Sequence, residues 1–355
     1  MKKILCLALA LVMLFALCAC GAKEAPAAAP SQGDAPAADT AKKADTVEFS
    51  CALALPEGEY FVTVMQDMGQ RLYERTEGRY SIKVYANTSL CTQAELFGML
   101  KTGGVAMGEA PIECQTAADI RFSAVQLPFA FDSIEANARF NKLANDRLYN
   151  AIIAEKFNAF PLFSVSSGMM QYFGTGDRVE TLDQLKGQLL WVANSLSSDT
   201  ATALGASPVL LEFQDGYPAM QKHTVDGSIA ASCLAPYNFH WEDALKTITY
   251  CNICASSSNM YMSLDLFNAM PEADQKILLE EAAAVEADLQ GYYNEMDDTL
   301  EAGLNERGVD TYHLPEAEMQ NWKDAVAGVY DDYFAQMDEE SAQIIRECID
   351  EANAG

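Results

Sequence analysis

The chain is short of positive charge, of histidine and of long apolar runs. Lysine and arginine number 23 against 51 acidic residues, a formal net charge of −28. A surface that negative repels a phosphate backbone, which excludes nucleic-acid binding as the main role. The 3 histidines, His223, His240 and His313, stand far apart and give no metal-ligand spacing, so no metal and no other cofactor is expected. No G-x-S-x-G elbow, H-E-x-x-H run or Cys–His nucleophile pair occurs, and the chain reads as a non-enzyme. What it does have is core-forming material. With 50% hydrophobic and 21% charged residues over 355 positions, it excludes wholesale disorder and fits two lobes of ordinary size.

The N-terminus reads as an address. Met1, Lys2 and Lys3 give a short positive start, and residues 4–17 are apolar, a length suited to a signal peptide and too short for a stable span. The run closes in Leu17-Cys18-Ala19-Cys20-Gly21, which resembles a bacterial lipobox. The resemblance implies cleavage of residues 1–19 and lipidation of Cys20, which would hold the protein on the outer face of the cytoplasmic membrane. Residues 20–45, rich in Ala and Pro, read as a flexible tether. Nothing later approaches eighteen uninterrupted apolar residues.

Seven cysteines remain beyond Cys20: Cys51, Cys91, Cys114, Cys233, Cys251, Cys254 and Cys348. An odd count outside the cytoplasm argues against a disulfide framework, and Cys251-x-x-Cys254 without a second pair is weak evidence for zinc or redox work. They are expected to be small buried hydrophobes.

The body alternates strand and helix patterns. Residues 47–55 (VEFSCALAL), 80–85 (YSIKVY), 105–110 and 160–165 read as strands, and residues 60–77, 92–102 and 135–156 as helices. A second series follows Gly168, with strands at 188–192 and 209–211 and helices at 197–204 and 215–222. Repeated strand–helix–strand units predict an open, mostly parallel α/β sheet. Beyond Pro271, Leu278, Ala282, Val285, Leu289, Tyr292, Met296, Leu300 and Leu304 recur at three and four, predicting one amphipathic helix long enough to cross both lobes. The acidic tail from Asp331 onward reads as a solvated helix face.

Several short patterns, in order, resemble the DctP-type solute-binding proteins of tripartite ATP-independent periplasmic (TRAP) transporters. They are Asn87-Thr88-Ser89-Leu90 with Glu95, Leu127-Pro128-Phe129-Ala130-Phe131, Leu182-Asp183-Gln184-Leu185-Lys186-Gly187, Ala203 through Val209, Val225-Asp226-Gly227, and residues 267–278. The resemblance implies a two-lobed, periplasmic-binding-protein-like α/β fold with a long lobe-bridging helix. It also implies closure of the lobes over a small-molecule ligand and delivery to membrane permease subunits. On this reading residues 46–168 plus about 255–294 form one lobe, and residues 169–254 plus about 295–355 the other. A ligand-sensing subunit of the same fold, feeding a sensor kinase or chemoreceptor, is the alternative.

The resemblance breaks where the family holds its substrate. The strand after its L-K-G segment usually ends in an arginine that clamps a substrate carboxylate, and here that position is Trp191. A second arginine usually lies some twenty residues earlier, where this chain has Met170 or Gln171. Losing one partner of a buried charge pair costs roughly 2–5 kcal/mol, so a typical arginine-clamped dicarboxylate is not the expected ligand. Trp191, Met170, Phe213 and Tyr217 predict an aromatic, apolar pocket for an apolar or aromatic ligand, or for a cation stacked on Trp191. The alternative leaves Trp191 in the core, with Arg178 or another cation as the clamp. Gln171, Asn194, Asn238, Tyr60, Phe61 and Glu95 complete the candidate site. Glu109 and Glu113 flank Pro111 just past a strand end, where α/β sheets bind ligands, but are read as a solvated loop.

Overall fold

A computed structural model describes residues 45–355. The signal peptide, Cys20 and nearly all of the tether lie outside the described residues. Among the described residues, nine strands form a single sheet. They are β1 (Val47–Ala52), β2 (Tyr80–Tyr85), β3 (Met107–Ala110), β4 (Ala159–Gly174), β5 (Leu189–Val192), β6 (Ser207–Leu210), β7 (Gly227–Ser228), β8 (Thr247–Ser263) and β9 (Asp310–His313). Their order is β2-β1-β3-β8-β4-β7-β5-β6, with β9 beside β8.

The two flanks are parallel, as the alternating pattern predicts: β1 pairs with β2 and β3, and β5 with β6 and β7. The centre is not. β4 and β8, of 16 and 17 residues, run antiparallel to each other and to β7 and β3 on either side. The sheet is therefore mixed. The strand expected at 160–165 continues to Gly174, and β8 carries no hydrophobic alternation that would have announced it. Register shifts between Ser166 and Gly168, and again between Met170 and Tyr172, bend β4 near its middle. Gly168 sits there at a φ of 117°, a conformation that side chains resist.

The main helices are α1 (Tyr60–Arg75), α2 (Leu96–Thr102), α3 (Ile134–Ala144), α4 (Asn150–Phe157), α5 (Ser195–Ala203), α6 (Phe213–Gln221), α7 (Leu234–Asn238), α8 (Leu264–Asn268), α9 (Glu272–Glu306), α10 (Glu316–Phe334) and α11 (Glu339–Ala354). The helix expected at 135–156 is α3 and α4 joined by a π-turn, Asn145–Tyr149. Gly78 and Gly103, at φ of 83° and 72°, take up the left-handed turns after α1 and α2.

Helix α9 is one continuous helix, as expected, of 35 residues, or about 52 Å at 1.5 Å per residue. Leu278, Ala282, Val285, Leu289 and Tyr293 pack with Phe61, Met65, Phe163 and Met260 in one core. Leu300 and Leu304, further along, join a different core built on Trp191, Trp241 and Ile248. One helix thus ties two apolar clusters together, the bridging role expected of it. Its first half is also clamped to α1, where Arg71 and Arg75 meet Glu281 at 2.6 and 2.8 Å, and to the turn after α1, where Arg79 meets Asp274 at 2.8 Å.

The acidic tail is helical on both sides of a break at 335–338. One face of α10 and α11 buries Tyr333, Phe334, Ile345, Cys348 and Ala352, so only the opposite face is solvated. The seven described cysteines are free, and all but Cys114 are buried. No helix among the described residues is long and apolar enough to cross a membrane.

Candidate ligand cavity

A cavity opens where β3, β4 and β8 carry their middle residues toward the N-termini of α1 and α6. Its volume is about 170 Å³, whereas a single water needs only about 10–15 Å³. It is large enough for a small organic molecule. One side is polar: Glu59 before α1, Gln93, Glu109 on β3, Glu113 and Gln126 after it, and Ser256, Ser257 and Ser258 on β8. The other side is apolar, formed by Met170 of β4, Leu211, Phe213 of α6, Ala230 and Phe239, with Tyr293 of α9. No arginine, lysine or histidine among the described residues lines it.

Four carboxyls line the cavity; Glu212 before α6 is exposed, and the other three, Glu59, Glu109 and Glu113, are each held by neutral donors alone. Glu59 caps α1, accepting from the Phe61 amide at 2.8 Å and from Asn238 Nδ2 at 3.0 Å. Glu109 accepts from Ser258 Oγ at 2.7 Å and from Gln93 Nε2 at 3.0 Å. Glu113 accepts from Ser257 Oγ at 3.1 Å and from Gln126 Nε2 at 3.3 Å. Glu109 and Glu113 are each only 4% exposed. Burial pushes both up to about 7, against the pull of their hydrogen bonds; Glu59 adds repulsion at Glu109, and Glu109 at Glu113. Burial raises Glu59 as well. The expectation of a solvated loop at Glu109 and Glu113 is therefore corrected. Glu109 is turned inward by β3, which pairs with β8, and Pro111 starts a tight 3₁₀ turn, Ile112–Gln115, that buries Glu113.

A second layer holds these groups. Asn194 caps α5 through the Ser197 amide at 3.0 Å and also donates a short hydrogen bond to Gln126 Oε1, so it acts on Glu113 from behind. Asn259 Nδ2 donates to Ser257 Oγ at 3.3 Å. Cys114 lines the cavity and is the one described cysteine with exposed surface, yet protein surrounds it closely. Burial and then Glu113 raise its thiol well above its ordinary value, so it is held protonated.

Of the residues expected at the ligand, Met170, Phe213 and Asn238 line the cavity. Trp191 does not. It is fully buried, its indole N–H donating to the Leu211 carbonyl at 3.2 Å and its ring lying under Gly216, where a Cβ would come within 2.2 Å of it. Trp191 instead backs the wall: Phe213 packs on it at 6.0 Å between ring centroids, and Trp241 at 5.9 Å. Tyr217 stacks on Trp241 and donates to Asp243 at 2.7 Å, outside the cavity. Gln171 turns to the β8 bulge, accepting from the amides of Cys251 and Asn252, both at 2.8 Å. Phe61 is core, while Tyr60 stacks on Tyr292 and donates to Asp288 at 2.9 Å. Glu95 is bonded to Thr92 within its own turn. Arg178 is no clamp either, since it forks onto Asp310 at 2.7 and 2.8 Å on the surface.

The residues overlooked in sequence are Glu59, Gln93, Gln126 and the serines of β8. A usable signal exists for the serines. Ser256-Ser257-Ser258-Asn259 is a run of short hydrogen-bonding side chains inside a long buried strand, which has little reason to be polar unless it faces something polar.

The fold and the cavity together define an extracytoplasmic solute-binding protein: a two-lobed α/β molecule crossed by long strands and a bridging helix, with a small-molecule cavity at the crossing. The family model for the bacterial extracellular solute-binding proteins, family 7 (DctP), matches residues 52–337, and the chain belongs to that family. Among solved structures, DctP7 of Bordetella pertussis, an extracytoplasmic solute receptor binding pyroglutamic acid, superposes with a TM-score of 0.79 at 17% identity, covering 86% of this chain and 100% of that one. A TRAP periplasmic solute-binding protein of Haemophilus influenzae with bound L-gulonate also gives 0.79, at 18% identity over 86% of this chain and 99% of its own. In sequence, protein YiiZ of Salmonella typhimurium is 22% identical over 268 residues, 74% of this chain and 80% of that protein.

Proposed function

We propose that the protein is a lipid-anchored receptor that captures a small organic solute between its lobes and delivers it to a TRAP-type permease driven by an ion gradient. Cys20 carries the lipid after removal of residues 1–19, and residues 20–45 tether the body to the outer face of the membrane. The lobes divide near residues 168, 254 and 294. In support, two of these positions fall within the β4–β8 crossing, and β4 bends beside the first. The third falls on α9, next to Tyr293, the α9 residue that lines the cavity.

The observation that carries this reading is the cavity itself, walled by residues on both sides of the crossing and large enough for an organic molecule. The absence of a basic residue from its described walls argues against the arginine-clamped mode of carboxylate binding. Thermal-shift measurements with a library of small organic solutes test the receptor role. At least one class is expected to raise Tm by several degrees and to appear as a one-to-one adduct by native mass spectrometry. A flat response across the library would overturn it. Loss of gradient-driven uptake in cells expressing Cys20→Ala, with the protein released from the membrane, tests the anchor.

A further inference from the structure

That the cavity is a ligand site rests on its shape and on the chain's family. Its acids bear on a narrower matter, the charge of the solute. Glu59, Glu109 and Glu113 accept all their resolved hydrogen bonds from neutral groups, and no cationic side chain of the described residues reaches the cavity wall. A buried carboxylate without a counter-charge is costly, and hydrogen bonds from amides and hydroxyls offset only part of the cost. A carboxylate solute would add to the repulsion, and a neutral one would leave it in place. A positive group supplies what is missing. Opposite the acids, Phe213 and Phe239 pack edge to face at 5.9 Å and present apolar ring surface, which takes either a hydrocarbon body or the flank of a cation.

We propose that the solute is an organic cation, an ammonium or amidinium group on an apolar body, with its charge among Glu59, Glu109 and Glu113 and its body against Phe213 and Phe239. This rests on the receptor reading above and specifies it. Binding then releases protons, because a neighbouring cation favours ionised carboxyls. The other titratable groups facing the acids are Cys51 of β1, Cys114, Glu212 before α6, Cys254 and Tyr261 of β8, and Tyr292 and Tyr293 of α9. The thiols and phenols among them are pushed upward and stay neutral near pH 7. Glu109 and Glu113, near 7, are the groups that exchange protons.

The test uses the full chain and three matched probe series on shared carbon skeletons: amines (2-phenylethylamine, 1,5-diaminopentane), the corresponding alcohols, and the corresponding carboxylates. Calorimetric titration is expected to find binding in the amine series, tightening about tenfold between pH 6 and pH 8 for each carboxyl that must ionise. Glu113→Gln, which keeps the side-chain shape, is expected to weaken the best amine about thirtyfold or more and to flatten part of its pH dependence. Glu109→Gln provides a second variant should the first fail to melt cooperatively. Binding of carboxylates or alcohols in preference to their matched amines overturns the cation and leaves the receptor intact. Tightening of carboxylates as pH falls overturns it too, by showing the acids acting as protonated donors. Silence in all three series, matched by silence across the wider library, removes the receptor reading and the cation with it.

Discussion

The buried acids give the ligand-free protein a pH dependence opposite to that of a salt-bridged one, and Glu109→Gln measures it. Glu109 is 4% exposed and ionises near 7 in the fold, against 4.5 for the free side chain. At 1.36 kcal/mol per tenfold, that gap corresponds to about 3 kcal/mol. The folded value is raised, so the unfolded chain gives up its proton first. The contribution of Glu109 to stability is therefore full below about pH 4.5, falls as pH rises toward 7, and levels off above it. Glutamine has no charge to bury. Its amide cannot accept from both Ser258 and Gln93 as the carboxylate does, but the serine hydroxyl can turn and the Gln93 amide can flip. The geometric cost is then about 1 kcal/mol. At pH 8 and without solute, the variant is expected to be about 1–3 kcal/mol more stable than the parent. The difference should shrink or reverse at pH 5, moving by about 2–3 kcal/mol in all. Urea denaturation followed by circular dichroism at both pH values reads this directly. A variant less stable by equal amounts at pH 5 and pH 8 would refute the claim that Glu109 is desolvated and unpaired.

Two further outcomes test the placement of other groups. Gly216→Ala puts a methyl against the Trp191 ring and is expected to cost about 1–3 kcal/mol, much of it recovered when Trp191 is also replaced by Phe. Additive effects in that double-mutant cycle would show that the indole does not lie under Gly216. Among the described cysteines, Cys114 is expected to be alkylated first by iodoacetamide, slowly at pH 7 because its thiol is held protonated, and to be shielded by a bound solute. Peptide mass spectrometry that finds Cys254 or Cys251 labelled ahead of it would contradict the cavity geometry.

The elements legible in the sequence are those with an apolar face toward a core and a polar face toward water. Helices α1 and α9 and strands β1 and β2 were readable on that ground, as were six of the seven described cysteines as buried hydrophobes, Cys114 being the exception. Strand β8 was not, because its middle turns Ser257 and Ser258 to the carboxyls of Glu113 and Glu109, which erases the alternation that marks a strand. The same polar contact hid the site. Pattern matching led to Trp191, where the family resemblance led one to expect an arginine, and the side chain there packs inward beneath α6. The residues that meet the cavity come from strand middles and tight turns scattered from Glu59 to Tyr293, a convergence with no local signature.

By itself, the sequence determined the class of protein, the alternating elements of the two flanks, the length of the bridging helix and the presence of tryptophan at position 191. These are local or compositional properties, carried by short runs of residues and their spacing. Tertiary structure alone decided that the sheet is mixed, that Trp191 is core, and that four of the chain's 51 acids, Glu59, Glu109, Glu113 and Glu212, lie together on the wall of one cavity. The physical reason is burial. A carboxyl's charge state and partners depend on what excludes water from it, and those groups come from β8, α1 and α7, far away along the chain.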